Sequence, residues 1–220
     1  MHTYSLGGKK DKSRVTVLSV LFCISVVICT LINNGIEYFA ALWPHAFSDI
    51  NNFLNNWSFL DFSLGNISVF IIFGFIYWVF DKWIWNYGLI KKIIGIPDFS
   101  GVWKGELESS FDMTKTFKIN MEIRQTWSKI NIVSSFDDSE SYSDSALIDP
   151  DHGLGKLLKF TYTNRAQNLS WDHEGHRGVN ELVLSDYNHS LKRYMVLHGN
   201  YFNNRGKTGN KGIIKMRRVD

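Results

Sequence analysis

The chain has 220 residues with 24 basic and 21 acidic side chains, a net charge of +3 that is too balanced for a protein coating nucleic-acid polymers. Its two cysteines, Cys23 and Cys29, both lie in the first apolar run, so no disulfide framework exists and nothing signals an oxidising compartment. Length alone allows one large domain or two small ones, and the order of residue types decides between them.

Lys9 to Arg14 is basic and reads as a disordered tail. Val15–Ile32 then runs without a charge, close to the ~20 residues that cross a bilayer core. Its length, the missing small-residue cleavage site and a later apolar run all argue against a removed signal peptide. That later run is Leu64–Phe80, rich in Phe, Tyr and Trp, and it ends at Asp81 and Lys82 with Trp83, Trp85 and Tyr87 placed as an interfacial belt. The loop between the runs, Asn33–Ser63, carries Glu37, Asp49 and Asp61 and no Lys or Arg, while Lys and Arg flank the spans on their other sides. The positive-inside rule therefore puts both termini in the cytoplasm, and the aromatic loop is expected on the outer leaflet. Residues 1–95 read as a membrane anchor with two transmembrane helices, about 15–32 and 64–80.

Pro97–Gly105 marks the change from anchor to soluble domain. Pro97 ends the preceding helix, and Gly101 and Gly105 bracket Trp103 at a strand start, which reads as a hinge. From there the apolar period is two, as in Phe117, Ile119, Met121 and Ile123 alternating with Lys118, Asn120, Glu122 and Arg124. Eight strands are expected: Gly101–Phe111, Thr116–Gln125, Trp127–Ser134, Ser143–Ile148, Lys156–Thr163, Arg177–Ser185, Leu191–Phe202 and Gly212–Val219. Turn-forming clusters separate them and no long helical period intervenes, so residues 96–220 read as an all-β antiparallel eight-stranded barrel able to hold one small ligand.

Charge is uneven in this half. Asp137–Asp151 holds six acids and no base, and Lys192–Arg218 holds eight bases and no acid, which suggests an anionic partner for the C-terminal strands. No P-loop, nucleophile elbow, zinc-protease helix or dinucleotide-binding glycine set occurs. Glu106 and Glu108 share a strand face as solvated pairs commonly do, so no enzyme and no cofactor is expected. His173 and His176 with Asp172 or Glu174 have weak metal spacing, and a polar turn accounts for them better. Binding chemistry remains: aromatic planes at Trp103, Trp127, Tyr162, Trp171, Tyr194 and Tyr201 to stack bases, with Arg124, Lys192, Arg193 and Arg205 to meet phosphates. The expected ligand contacts are Trp103, Arg124, Trp127, Tyr162, Arg193, Tyr201 and Arg205.

Two apolar spans, a short linker and then Phe99–Ser110 resemble the SMODS-associating 2TM, β-strand rich membrane effectors of bacterial cyclic-oligonucleotide anti-phage signalling (CBASS). His176-Arg177-Gly178, Leu197–Phe202 and Gly212-Ile213-Ile214 fit the same family. The resemblance implies an eight-stranded barrel that binds a cyclic dinucleotide made by a partner nucleotidyltransferase. It further implies self-association as a homo-oligomer in the bacterial inner membrane, membrane disruption and death of the infected cell. Two rivals stand beside it: a membrane-anchored, lipocalin-like carrier of lipid on the face of Phe117, Ile119, Met121 and Ile123, and a structural β adaptor held at the membrane.

Overall fold

A computed structural model describes residues 1–7, 11–55, 68–153, 155–166, 175–205 and 209–219. They form two units, one spanning Met1–Asp11 with Trp83–Asp220 and the other Lys12–Lys82.

In the second unit, α1 (Asp11–Leu42) is a single helix whose stretch Ser13–Leu42 contains an 18-residue window of mean hydropathy 2.8, long and apolar enough to cross a membrane. It takes in Asp11–Arg14, where disorder was expected. The connecting loop is partly helical, as α2 (Pro44–Asn55), and α3 (Val69–Lys82) follows. The expected second span at 64–80 is thus seen only in part: 64–67 lie outside the described residues, and the 14 residues of α3 fall short of the ~20 a crossing needs. Phe22 of α1 meets Phe73 of α3 edge-on, with ring centroids 5.9 Å apart.

The first unit is a sheet closed into a barrel. Its strands are β1 (His2–Leu6), β2 (Gly101–Ser109), β3 (Asp112–Gln125), β4 (Lys129–Ser135), β5 (Ser139–Asp149), β6 (Lys156–Ala166), β7 (Arg177–Asn188), β8 (Arg193–Asn203) and β9 (Asn210–Arg218). The eight strands expected from the C-terminal half pair antiparallel in sequence order, and β9 closes on β2. The ninth comes from the other end of the chain. β4 and β5 pair directly only from Val133↔Tyr142 to Ser135↔Glu140. Below that they part, and β1 fills the gap, antiparallel to β4 at Ile130 and parallel to β5 at Ala146–Ile148. An eight-stranded, wholly antiparallel barrel is therefore corrected, among the described residues, to nine strands with one parallel pairing.

The strand ends divide the barrel into a near end, where the linker enters, and a far end. The near end is plugged. α4 (Gly88–Ile94) stops at Gly95, which adopts φ 66° and donates its N–H to the Lys91 carbonyl, a left-handed helix cap. Trp85, Ile94, Ile96 and Phe99 are all buried. Gln125 clamps the linker, its Oε1 accepting from the Phe99 N–H at 2.9 Å and its Nε2 donating to the Pro97 carbonyl at 3.1 Å. Asn86 Nδ2 holds Asp98 Oδ2 at 2.7 Å. The segment read as a hinge is thus a fixed stopper, because its apolar side chains have the barrel floor to cover.

Candidate ligand-binding site

Along the inward face of the strands, polarity changes with height. The near half is hydrocarbon: Met121, Ile123, Ile130, Ile132, Ile148 and Leu184 are buried there. The far half buries Ser109, Ser134, Ser141, Asn164 and Asn180 alongside Leu107, Phe160 and Leu182. Sequestering polar groups costs free energy unless each finds a partner, so such a belt needs a reason. Part of it satisfies itself. Asn164 Nδ2 donates to Ser139 Oγ at 3.1 Å and Ser141 Oγ at 2.9 Å, and the Tyr201 hydroxyl donates to Ser109 Oγ.

Aromatic rings face this belt. Phe160 and Tyr162 have centroids 6.5 Å apart, and His176 meets Tyr162 edge-on at 6.3 Å. The tyrosines lie over glycines: a Cβ on Gly178 would sit 2.4 Å from the Tyr162 hydroxyl, and one on Gly212 would sit 2.6 Å from Tyr201 Cε1. Only a missing side chain lets those rings rest on the wall. Burial pushes the Tyr162 phenol up to about 12 and raises that of Tyr201, so both remain hydrogen-bond donors at neutral pH. Burial, with the charge of Arg205, lowers His176 below its ordinary value. At the rim the Arg205 guanidinium lies 4.9 Å from the Phe111 ring centroid. Phe111, expected as the last residue of the first strand, is exposed in the turn past β2, because the register shifts after Glu108. Beside the belt an open depression of about 680 Å³ includes Asp144, Tyr162, Arg177, Gly178 and Asn203.

The seven expected ligand contacts fall at opposite ends. Tyr162, Tyr201 and Arg205 come together at the far end. Trp103 is fully buried at the near end, its Nε1 donating to the Phe99 carbonyl at 3.0 Å and its ring under the Arg218 guanidinium at 4.5 Å. Trp127 is buried in the β3–β4 turn, where its carbonyl accepts from the Tyr4 hydroxyl at 2.7 Å. Arg124 points outward and pairs with Glu122 at 2.7 Å, and Arg193 opens β8 at the near end. Asn164 and Asn180 were not singled out from sequence, and Asp144 and Arg177 entered only through the acidic stretch and the family motif, not as ligand contacts. Asparagine at an inward strand position, where it is usually depleted, was the available signal for the first two. Asp172, His173 and Glu174 lie outside the described residues, and among the described residues no His, Cys, Asp and Glu group could hold a metal.

Flat aromatic walls, buried amides and hydroxyls, and a cation at the rim suit a planar, polar, negatively charged molecule. A family model described as "Cap15, cyclic dinucleotide receptor domain" matches residues 94–218. The chain belongs to this family. Similar curated proteins carry a matching name: "CD-NTase-associated protein 15" of Yersinia aleksiciae is 27% identical over 150 residues, 68% of each chain. The protein of that name from Staphylococcus schleiferi is 26% identical over 152 residues, 69% of this chain and 76% of its own. The CBASS effector family recognised from Phe99–Ser110 is thereby the one to which the chain belongs. The Cap15 match opens at the plugging helix and takes in every barrel strand except β1.

Proposed function

We propose that the far half of the barrel is a receptor for a cyclic dinucleotide, and that binding drives self-association of the membrane segments, disruption of the bacterial inner membrane and death of the infected cell. No catalysis by this chain is involved. The observation that carries the reading is the buried polar belt with its tyrosine walls and cationic rim, in a chain of the Cap15 receptor family. Stacking contributes about 1–3 kcal/mol per base, and charge-assisted bonds from arginine hold phosphate. A lipid carrier would have no use for five buried polar side chains in its lumen.

Chain connectivity supports two crossings, and the lysines and arginines flanking the spans support a cytoplasmic barrel. The chain leaves the barrel after β1 and returns to it at the plug, so segment 12–82 begins and ends on one side of any membrane it enters. With α1 as one span, the apolar run ending at Lys82 supplies the return. Ligand must bind the associated form more tightly than the resting form, since equal affinity shifts nothing.

Two outcomes test this reading. Co-expression of the full chain with a cyclic-dinucleotide synthase is expected to halt growth and admit a membrane-impermeant dye, and an active-site variant of the synthase to do neither. Bound ligand with an intact membrane would overturn the effector step.

The His176 shift gives the second. Neutral in the free protein at pH 7, His176 is favoured as a cation once a phosphate lies beside it, so affinity for an anionic ligand should improve as pH falls toward 6. Calorimetry in buffers of different ionisation enthalpy should read proton uptake. Without ligand the sign reverses: the unfolded chain takes up the proton first as pH falls through about 6.5, so His176 lowers stability there.

A further inference from the structure

The geometry points to Asn180 as the residue that reads the base edge of the bound ligand, through its side-chain amide oxygen. This rests on the receptor reading above. Asn180 is 5% exposed and stands at the inward position of β7, between Phe160 of β6 and Tyr201 of β8. Its Oδ1 is buried and has no hydrogen-bond partner among the described residues. Asn164, the other buried amide of the belt, is engaged by two serines. The sequence neighbours of Asn180 on the same inward face, Leu182 and Leu184, are apolar, so nothing in the strand calls for an amide there. A buried acceptor left unpaired is costly in the resting protein, and a group kept at that cost is explained when something else supplies the donor.

A ligand group bearing N–H or O–H would do so. Within an aromatic wall made by Phe160, Tyr162 and Tyr201, a nucleobase presents such a donor at its edge, as an exocyclic amine or a ring imino N–H. The two tyrosine phenols and Arg205 are themselves donors and suit the carbonyl and phosphate acceptors of the same molecule. Asn180 is thus an open acceptor beside the tyrosine and arginine donors, and it selects for a base edge that carries hydrogen.

The test uses the full chain in detergent with matched cyclic dinucleotides: cyclic di-GMP against its inosine analogue, which lacks the 2-amino group, and cyclic di-AMP against its 6-deamino analogue. The wild type is expected to prefer the amine-bearing member of at least one pair by about tenfold or more, and Asn180→Leu to bind both members of that pair alike. Without ligand, Asn180→Leu should melt at or above the wild-type temperature, because it removes an orphaned polar atom. Asn164→Leu, which strands two serines, should melt lower. An Asn180→Leu chain that keeps the preference, or that loses as much stability as Asn164→Leu, overturns the assignment. A wild-type chain that binds none of the four compounds overturns the receptor reading itself, a different result from binding with unaltered discrimination.

Discussion

A chain lacking His2–Leu6 is expected to lose about 5 kcal/mol of barrel stability, a large share of the ~5–15 kcal/mol that holds a domain together. Tyr4 and Leu6 are 3% and 6% exposed, and each fully buried side chain of this kind is worth about 1.5–3 kcal/mol. The Tyr4 hydroxyl bond to the Trp127 carbonyl adds about 1 kcal/mol. Deletion also strips partners from the β4 and β5 edges below Val133 and Tyr142, in the middle of a barrel wall. At that fork Ser143 Oγ accepts from the Ile132 N–H at 3.0 Å and meets His2 Nε2 at 2.8 Å, so β1 also closes the top of its own slot. Denaturant unfolding followed by tryptophan fluorescence, on the full chain with and without these five residues, checks the claim. A midpoint shift worth less than about 1 kcal/mol would show that β1 only decorates the wall.

Arg205→Ala is expected to weaken cyclic dinucleotide binding by roughly 10- to 100-fold, the equivalent of one charge-assisted hydrogen bond at about 1.5–3 kcal/mol. Arg193→Ala should leave affinity within about twofold. Both residues are arginines on the basic C-terminal stretch, and sequence alone treats them alike. The fold separates them: Arg205 follows β8 at the far rim, where its charge bears on His176 and Tyr201, whereas Arg193 opens β8 at the plugged end. Arg205 makes its ring contact with exposed Phe111, so its loss should cost the fold little. Equal losses from the two variants would contradict the far-end site.

The strand pattern was legible because a period of two over apolar residues survives any change of partner, and each of the eight expected strands is present with its ends moved by a few residues. β1 was not legible. Five residues of mixed character at the start of the chain show no period, and their place is set by a gap between strands more than 120 residues away. The plug was misread for a related reason: Pro97 and two glycines describe a bend but cannot say whether Phe99 beside them is covered. Of the site, Tyr162, Tyr201 and Arg205 were found by residue type. Trp103 and Trp127 were chosen on the same grounds, yet height along the barrel, which sequence does not carry, makes one floor and the other a turn anchor. The amides were passed over because polar residues in strands ordinarily face water. Asn164 and Asn180 face inward because their strands' parity, fixed by Phe160 and Leu182, leaves them no other side.

Hydrogen exchange on the full chain, with and without a saturating cyclic dinucleotide, tests the central claim most directly. Protection is expected to rise in the far halves of β6, β7 and β8, at Phe160–Asn164, Gly178–Leu182 and Gly199–Asn203, and to stay level around Trp103, Trp127 and Arg193. Protection that rises at the plugged end while the far halves stay unchanged would contradict it.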